Sequence, residues 1–213
     1  MKATDFDFDL PESLIALRPA VPRDASRLLV LHRDGSHEHR RFGCLPEYLR
    51  KGDLLIMNNT KVFPARVIGK KQSGGKIDIL LVKEIREGVW EVLSRDRYTG
   101  KVSLSENLSG ELSDGKVMSL TLRNGTPSRL MDMLWEVGSM PLPPYIKRKP
   151  DERDKESYQT VYAERTGSIA APTAGLHFTD DLLVRIKEKG VVIKFLTLHV
   201  GTGTFSPVGV ESR

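Results

Sequence analysis

With 213 residues, 39% hydrophobic and 29% charged, the chain can bury a core, which excludes disorder throughout. Lys and Arg exceed Asp and Glu by 33 to 28, a net +5 compatible with a polyanionic partner but not diagnostic of one. Cys44 stands alone, so intrachain disulfides and cysteine metal clusters are excluded, and a small, half-buried residue is expected there.

The first ten residues carry three Asp and no apolar run, unlike a signal peptide. No apolar stretch approaches the roughly 20 residues of a membrane span, so a soluble cytoplasmic chain without membrane contact is expected. Arg27 to Leu31 reads as a short strand. Pro46 to Arg50 reads as a helical turn or two, stopped by Gly52, and Asp53 to Met57 as a buried strand ending at Asn58 and Asn59.

From Lys61 to Leu122 the texture is β. Strands are expected at 65–69, 76–82, 89–93 and 119–122, separated by Gly-containing turns such as Gly74-Gly75 and Glu87-Gly88. The Ser-, Gly- and Asn-rich stretch from Tyr98 to Gly115 reads mainly as loop. Beyond it, Ser128 is placed to cap a helix running to Val137, with Leu130, Met131, Leu134 and Val137 on one face and Gly138 as the stop. Pro141, Pro143 and Pro144 forbid a regular helix there. A helix is expected over 154–163. Another starts at N-cap Thr179 and stops at Gly190, and an apolar strand follows from Val191 to Leu198. The fold class is therefore an α/β scaffold, residues 1–60 and 128–213, with an inserted all-β, barrel-like domain over 61–127.

Four stretches are poorly explained by folding alone. Asn58-Asn59-Thr60 ends a strand where open α/β sheets place ligands, with Arg66 close behind; a polar turn is the alternative. Pro172-Thr173-Ala174-Gly175-Leu176-His177 precedes a helix start, whose dipole favours a neutral imidazole at His177; a structural histidine is equally open. His199 leads into Gly201-Thr202-Gly203-Thr204, a turn with donors suited to a nucleotide or carboxylate, though such turns are common. Tyr145, in the proline segment, is placed to stack on a base unless that segment is only a rigid linker. The loops 58–60, 172–177 and 201–204 are expected to converge on one pocket.

Taken together, these stretches, Tyr158-Gln159-Thr160-Val161-Tyr162 and Leu10-Pro11-Glu12-Ser13-Leu14-Ile15-Ala16 resemble, in order, the S-adenosylmethionine:tRNA ribosyltransferase-isomerases of queuosine biosynthesis. The resemblance spans the chain. It implies an α/β domain with an inserted barrel. It also implies transfer and isomerisation of the ribosyl part of S-adenosylmethionine onto 7-aminomethyl-7-deazaguanine in tRNA, giving epoxyqueuosine-tRNA with release of adenine and methionine. S-adenosylmethionine is then a consumed substrate, with no separate cofactor or metal, and a monomer is expected. His177 and His199 are the candidates for proton transfer. Asn58, Asn59, Thr60, Arg66, Tyr145, Pro172, Thr173, Gly175, Gly201, Thr202, Gly203 and Thr204 are the candidates for binding. Family members continue past the position of Arg213, so further sheet and site elements are expected there. A non-catalytic tRNA-binding module and an ordinary methyltransferase are the rival readings.

Overall fold

The computed structural model describes residue 5 and residues 7–204. Its centre is a closed barrel of six antiparallel strands: β5 (Arg66–Lys71), β6 (Lys76–Arg86), β7 (Val89–Ser94), β8 (Gly100–Ser103), β9 (Leu108–Ser113) and β10 (Val117–Leu122). The order around the barrel is β10-β7-β6-β5-β8-β9. Alternation decides the inside: Val67, Ile77, Ile79, Leu81, Trp90, Val92, Val102, Leu108, Leu112 and Met118 are buried and, Val82 beside Leu81 apart, their neighbours in sequence are less buried. Each such side chain contributes about 1.5–3 kcal/mol by leaving water. Gly69 and Gly110 also point inward, where a Cβ would collide with Val102 and Met118. They make room for the larger residues opposite.

The stretch Tyr98 to Gly115, expected to be mainly loop, supplies β8 and β9 instead. Its polar residues stand on the outer face: Leu108, Gly110 and Leu112 point in, and Ser109, Glu111 and Ser113 point out. The low average hydrophobicity hid a two-residue period.

Around the barrel lies the α/β part. A hairpin of β1 (Arg27–Leu31) and β2 (His37–Arg41) leads through a 3-10 segment, Phe42–Tyr48, to β3 (Leu54–Asn58) and β4 (Thr60–Val62). After the barrel come α1 (Leu130–Val137), α2 (Asp154–Ser157), β11 (Arg165–Ser168), α3 (Asp180–Glu188) and β12 (Val192–Leu196). β3 pairs in parallel with β12, and β4 in parallel with β11, so the barrel is inserted between β4 and β11. The α/β scaffold with an all-β barrel inserted is therefore the architecture observed.

Helix α1 buries Leu130 and Leu134 in the barrel core, which fixes the barrel on its scaffold. Gly138 stops it where a Cβ would overlap the Pro64 carbonyl. Ser128 does not cap α1, because its hydroxyl bonds that of Thr126 at 2.7 Å. Thr179 does cap α3, accepting from Leu182 N–H at 3.1 Å. The helix expected over 154–163 stops at Ser157, because Gln159 turns its side chain to the main chain of Val62.

α3 packs Leu182, Leu183 and Ile186 on Met57 and Val191, covering one face of the β3/β12 pair. On the other face Leu54 and Ile56 are 58% and 55% exposed. The strand expected to be buried is thus covered on one face only among the described residues. Cys44 is half-buried and unbridged. Among the described residues no helix is long and apolar enough to cross a membrane, and no group of three or more His, Cys, Asp or Glu is placed to hold a metal ion.

Candidate active site

Ser168, at the end of β11, joins two of the three loops at their roots and holds the far end of β4. Its Oγ donates to the Ala170 carbonyl at 2.7 Å and accepts from Val200 N–H at 3.0 Å. Its carbonyl accepts from Phe63 N–H, just past β4. The segments beginning at Ala170 and running into Gly201 therefore leave from one place, while Thr60, at the other end of β4, meets the third segment through His199. Their tips differ.

In the first neighbourhood Asn58 and Asn59 hold the strand end after β12. The Asn58 amide donates to Leu198 C=O at 2.9 Å and accepts from Leu198 N–H at 3.0 Å and from Thr60 N–H at 3.1 Å. The Asn59 carbonyl accepts from the Thr197 hydroxyl at 2.6 Å, and its Nδ2 donates to Glu164 at 3.0 Å. Both amides are engaged within the chain, so their effect on a ligand would act through Leu198 and His199. Thr60 Oγ1 lies 2.8 Å from His199 Nδ1, and the imidazole covers Gly167, where no side chain fits. Among the described residues a Cβ at Gly201 or Gly203 would meet nothing within 4 Å, and a 3-10 turn spans Thr202–Thr204.

In the second neighbourhood a 240 Å³ cavity is lined by Leu142, Tyr145, Tyr158, Thr173, Leu176 and His177, with Arg18, Arg23, Ser26 and Arg148 among its polar walls. Tyr145 is 51% exposed and offers a ring face at the rim. Pro172 caps the 3-10 turn Thr173–His177. Gly175 is needed for contact within the protein, since a Cβ there would strike the Tyr162 hydroxyl. Burial holds the His177 imidazole below its ordinary pKa. The cause is desolvation, so the helix dipole invoked from the sequence is not needed. Its ring tilts against Phe42 at 5.2 Å between centroids.

Charged groups at this cavity are mostly paired. Asp154, fully buried, receives both arms of Arg148, at 2.7 and 2.5 Å. Burial pushes its carboxyl up, but Arg148 and the Asp151 N–H outweigh that and hold its pKa below the usual range. Arg18 pairs with Asp151. Arg23 donates to the carbonyls of Glu156, Gln159 and Leu176. Desolvation pushes the Tyr158 phenol up to about 12, so it is a neutral hydroxyl at the cavity wall.

Arg66 lies apart, bonded across β5 and β6 to Asp78, where a 440 Å³ hollow runs to Pro141 and Pro144. The structure thus groups Tyr145, Thr173 and His177 in one cavity, and Asn58, Asn59, Thr60 and His199 in a second cluster. Sequence reasoning missed Arg23, Ser26, Arg148 and Asp154. The partners of the Arg23 guanidinium and the His177 partner of Ser26 lie 133 to 153 residues away, so no local motif marks those two.

The profile of the family described as queuosine biosynthesis protein matches residues 3–213. The chain belongs to that family. An S-adenosylmethionine:tRNA ribosyltransferase-isomerase of Thermodesulfovibrio yellowstonii is 50% identical over 216 residues, 99% of this chain and 63% of that protein. One of the same name from Clostridioides difficile is 49% identical over 222 residues, 99% of this chain and 64% of that protein. A solved structure titled S-adenosylmethionine tRNA ribosyltransferase, from Thermotoga maritima, is 32% identical, with 92% of this chain and 58% of that chain covered and a TM-score of 0.38. The chain spans a little under two thirds of the length of these curated relatives.

Proposed function

We propose that this chain carries the donor- and base-handling part of an S-adenosylmethionine:tRNA ribosyltransferase-isomerase. The observation that carries the reading is 50% identity over 99% of the chain to a relative of that name. The substrate is S-adenosylmethionine, consumed as ribosyl donor without a further cofactor. The acceptor is 7-aminomethyl-7-deazaguanine in tRNA, and the products are epoxyqueuosine-tRNA, adenine and methionine.

The reaction starts with removal of a proton from the carbon beside the positive sulfur, which acidifies it. A group that is neutral near pH 7 suits that step, and His177, with its lowered pKa beside a cavity, has this property. Tyr145 at the rim offers a stacking face to a purine or deazapurine. His199, bonded to Thr60, is the second proton-transfer candidate. The acceptor amine attacks in its neutral form. The protein acts as a cytoplasmic monomer.

A second reading, tRNA binding without turnover, is favoured by one observation. The chain carries a net charge of +5, which suits a polyanionic partner. Incubation with tRNA carrying the deazaguanine and with S-adenosylmethionine labelled separately in ribose and methyl carbons separates the readings. Ribose label in tRNA together with free adenine supports the transferase. Methyl label in tRNA would sink it, and tRNA binding without adenine release supports the second reading.

A further inference from the structure

The cavity holding His177 is closed by a short chain of hydrogen bonds that determines which ring nitrogen carries the proton. Ser26 Oγ lies 2.7 Å from the Arg23 carbonyl and 3.1 Å from His177 Nδ1. A hydroxyl has one proton to give. The shorter bond, to a carbonyl that can only accept, takes it. Ser26 Oγ then meets His177 with a lone pair, and Nδ1 must be the donor. We propose that Ser26 is a positioning residue that holds His177 in the Nδ1–H tautomer, leaving the Nε2 lone pair as the basic site at the cavity.

The segment that carries Ser26, before the first strand, is tied to distant parts of the chain through Arg23. Arg23 donates its guanidinium to the carbonyls of Glu156, Gln159 and Leu176, the last of these next to His177 in the chain. One residue therefore ties down the segment that carries the imidazole and presents the carbonyl that orients Ser26. The Ser26 carbonyl in turn accepts from Phe42 N–H at 2.8 Å, and the Phe42 ring lies against the imidazole. His177 Nε2 has no partner among the described residues. Under the proposed function, which this inference extends, the proton leaving the carbon beside sulfur goes to Nε2. The resulting imidazolium keeps its Nδ1–H on Ser26, so the ring does not turn when it is protonated.

The test uses the 213-residue chain with nitrogen-15-labelled histidine, read by NMR at a pH where the imidazole is neutral. The expected His177 signature is a protonated Nδ1 with an unprotonated Nε2. Ser26→Ala should release the ring to a mixture in which Nε2–H gains, and Ser26→Thr, which keeps the hydroxyl, should restore the starting pattern. A protonated Nε2 in the unaltered chain overturns the proposal whether or not any variant folds, and so does an unchanged tautomer in Ser26→Ala. The base role is judged separately by adenine release in the His177→Gln variant. Undiminished release there removes the base from the proposed function without touching the tautomer result.

Discussion

Gln159 closes both ends of its amide on the main chain of Val62. Its Oε1 accepts from Val62 N–H at 3.0 Å and its Nε2 donates to the Val62 carbonyl. A side chain thus pairs with a strand residue in the interior, as a neighbouring strand would. Removing it leaves two buried backbone groups without partners, each costing about 1–3 kcal/mol. Gln159→Ala should therefore lower unfolding free energy by about 2–4 kcal/mol, read from urea melts. A change inside experimental error would mean that water replaces the amide.

Asp154 sits beneath Arg148 with its pKa below the usual carboxylate value. The sign follows from linkage. The folded form binds its proton less readily than the unfolded chain, so the stabilisation is present above the unfolded pKa and is lost as pH falls through the folded one. This contribution should be lost as pH falls below the ordinary carboxylate value of 3.8. Asp154→Asn should flatten part of the resulting decline while lowering stability at pH 7, because Arg148 then loses its anion. Equal acid slopes in the two proteins would assign the decline to other carboxylates.

Gly175 and Tyr162 meet where a methyl group has no room. Gly175→Ala should cost about 1–3 kcal/mol by overpacking. Tyr162→Phe removes the obstructing hydroxyl, so the double variant should lose less than the sum of the two single variants. Full additivity in this cycle would mean that the loop moves away instead.

His177, with its pKa lowered by burial, stays neutral through pH 7. In a turnover-competent enzyme, His177→Ala should slow single-turnover adenine release roughly a hundredfold or more, with donor affinity changed much less. Near-normal release would make the residue structural, and lost affinity with intact chemistry would make it a binding residue. The same group adds a stability term. Because its folded pKa is depressed, folding is penalised as pH falls below the unfolded value near 6.5, and His177→Gln should remove that slope from melts run between about pH 7 and pH 5.

The sequence alone determined the features that depend on neighbours along the chain. The run Thr179-Asp180-Asp181 with Leu182, Leu183 and Ile186 contained its own cap and apolar face, so α3 was legible. Alternation marked β6 and β7, and the ordered motifs marked the family. Tertiary structure decided what depends on residues far apart. Arg23 reaches the Leu176 carbonyl across 153 residues, and Ser26 meets His177 across 151. Gln159 ends a helix that periodicity would have continued, because the unpaired backbone of Val62 was a stronger partner than another helical turn. Such contacts carry no local signature: a hydroxyl, an amide or a guanidinium satisfies whatever donor or acceptor the fold brings to it, and only the packed chain says which one that is.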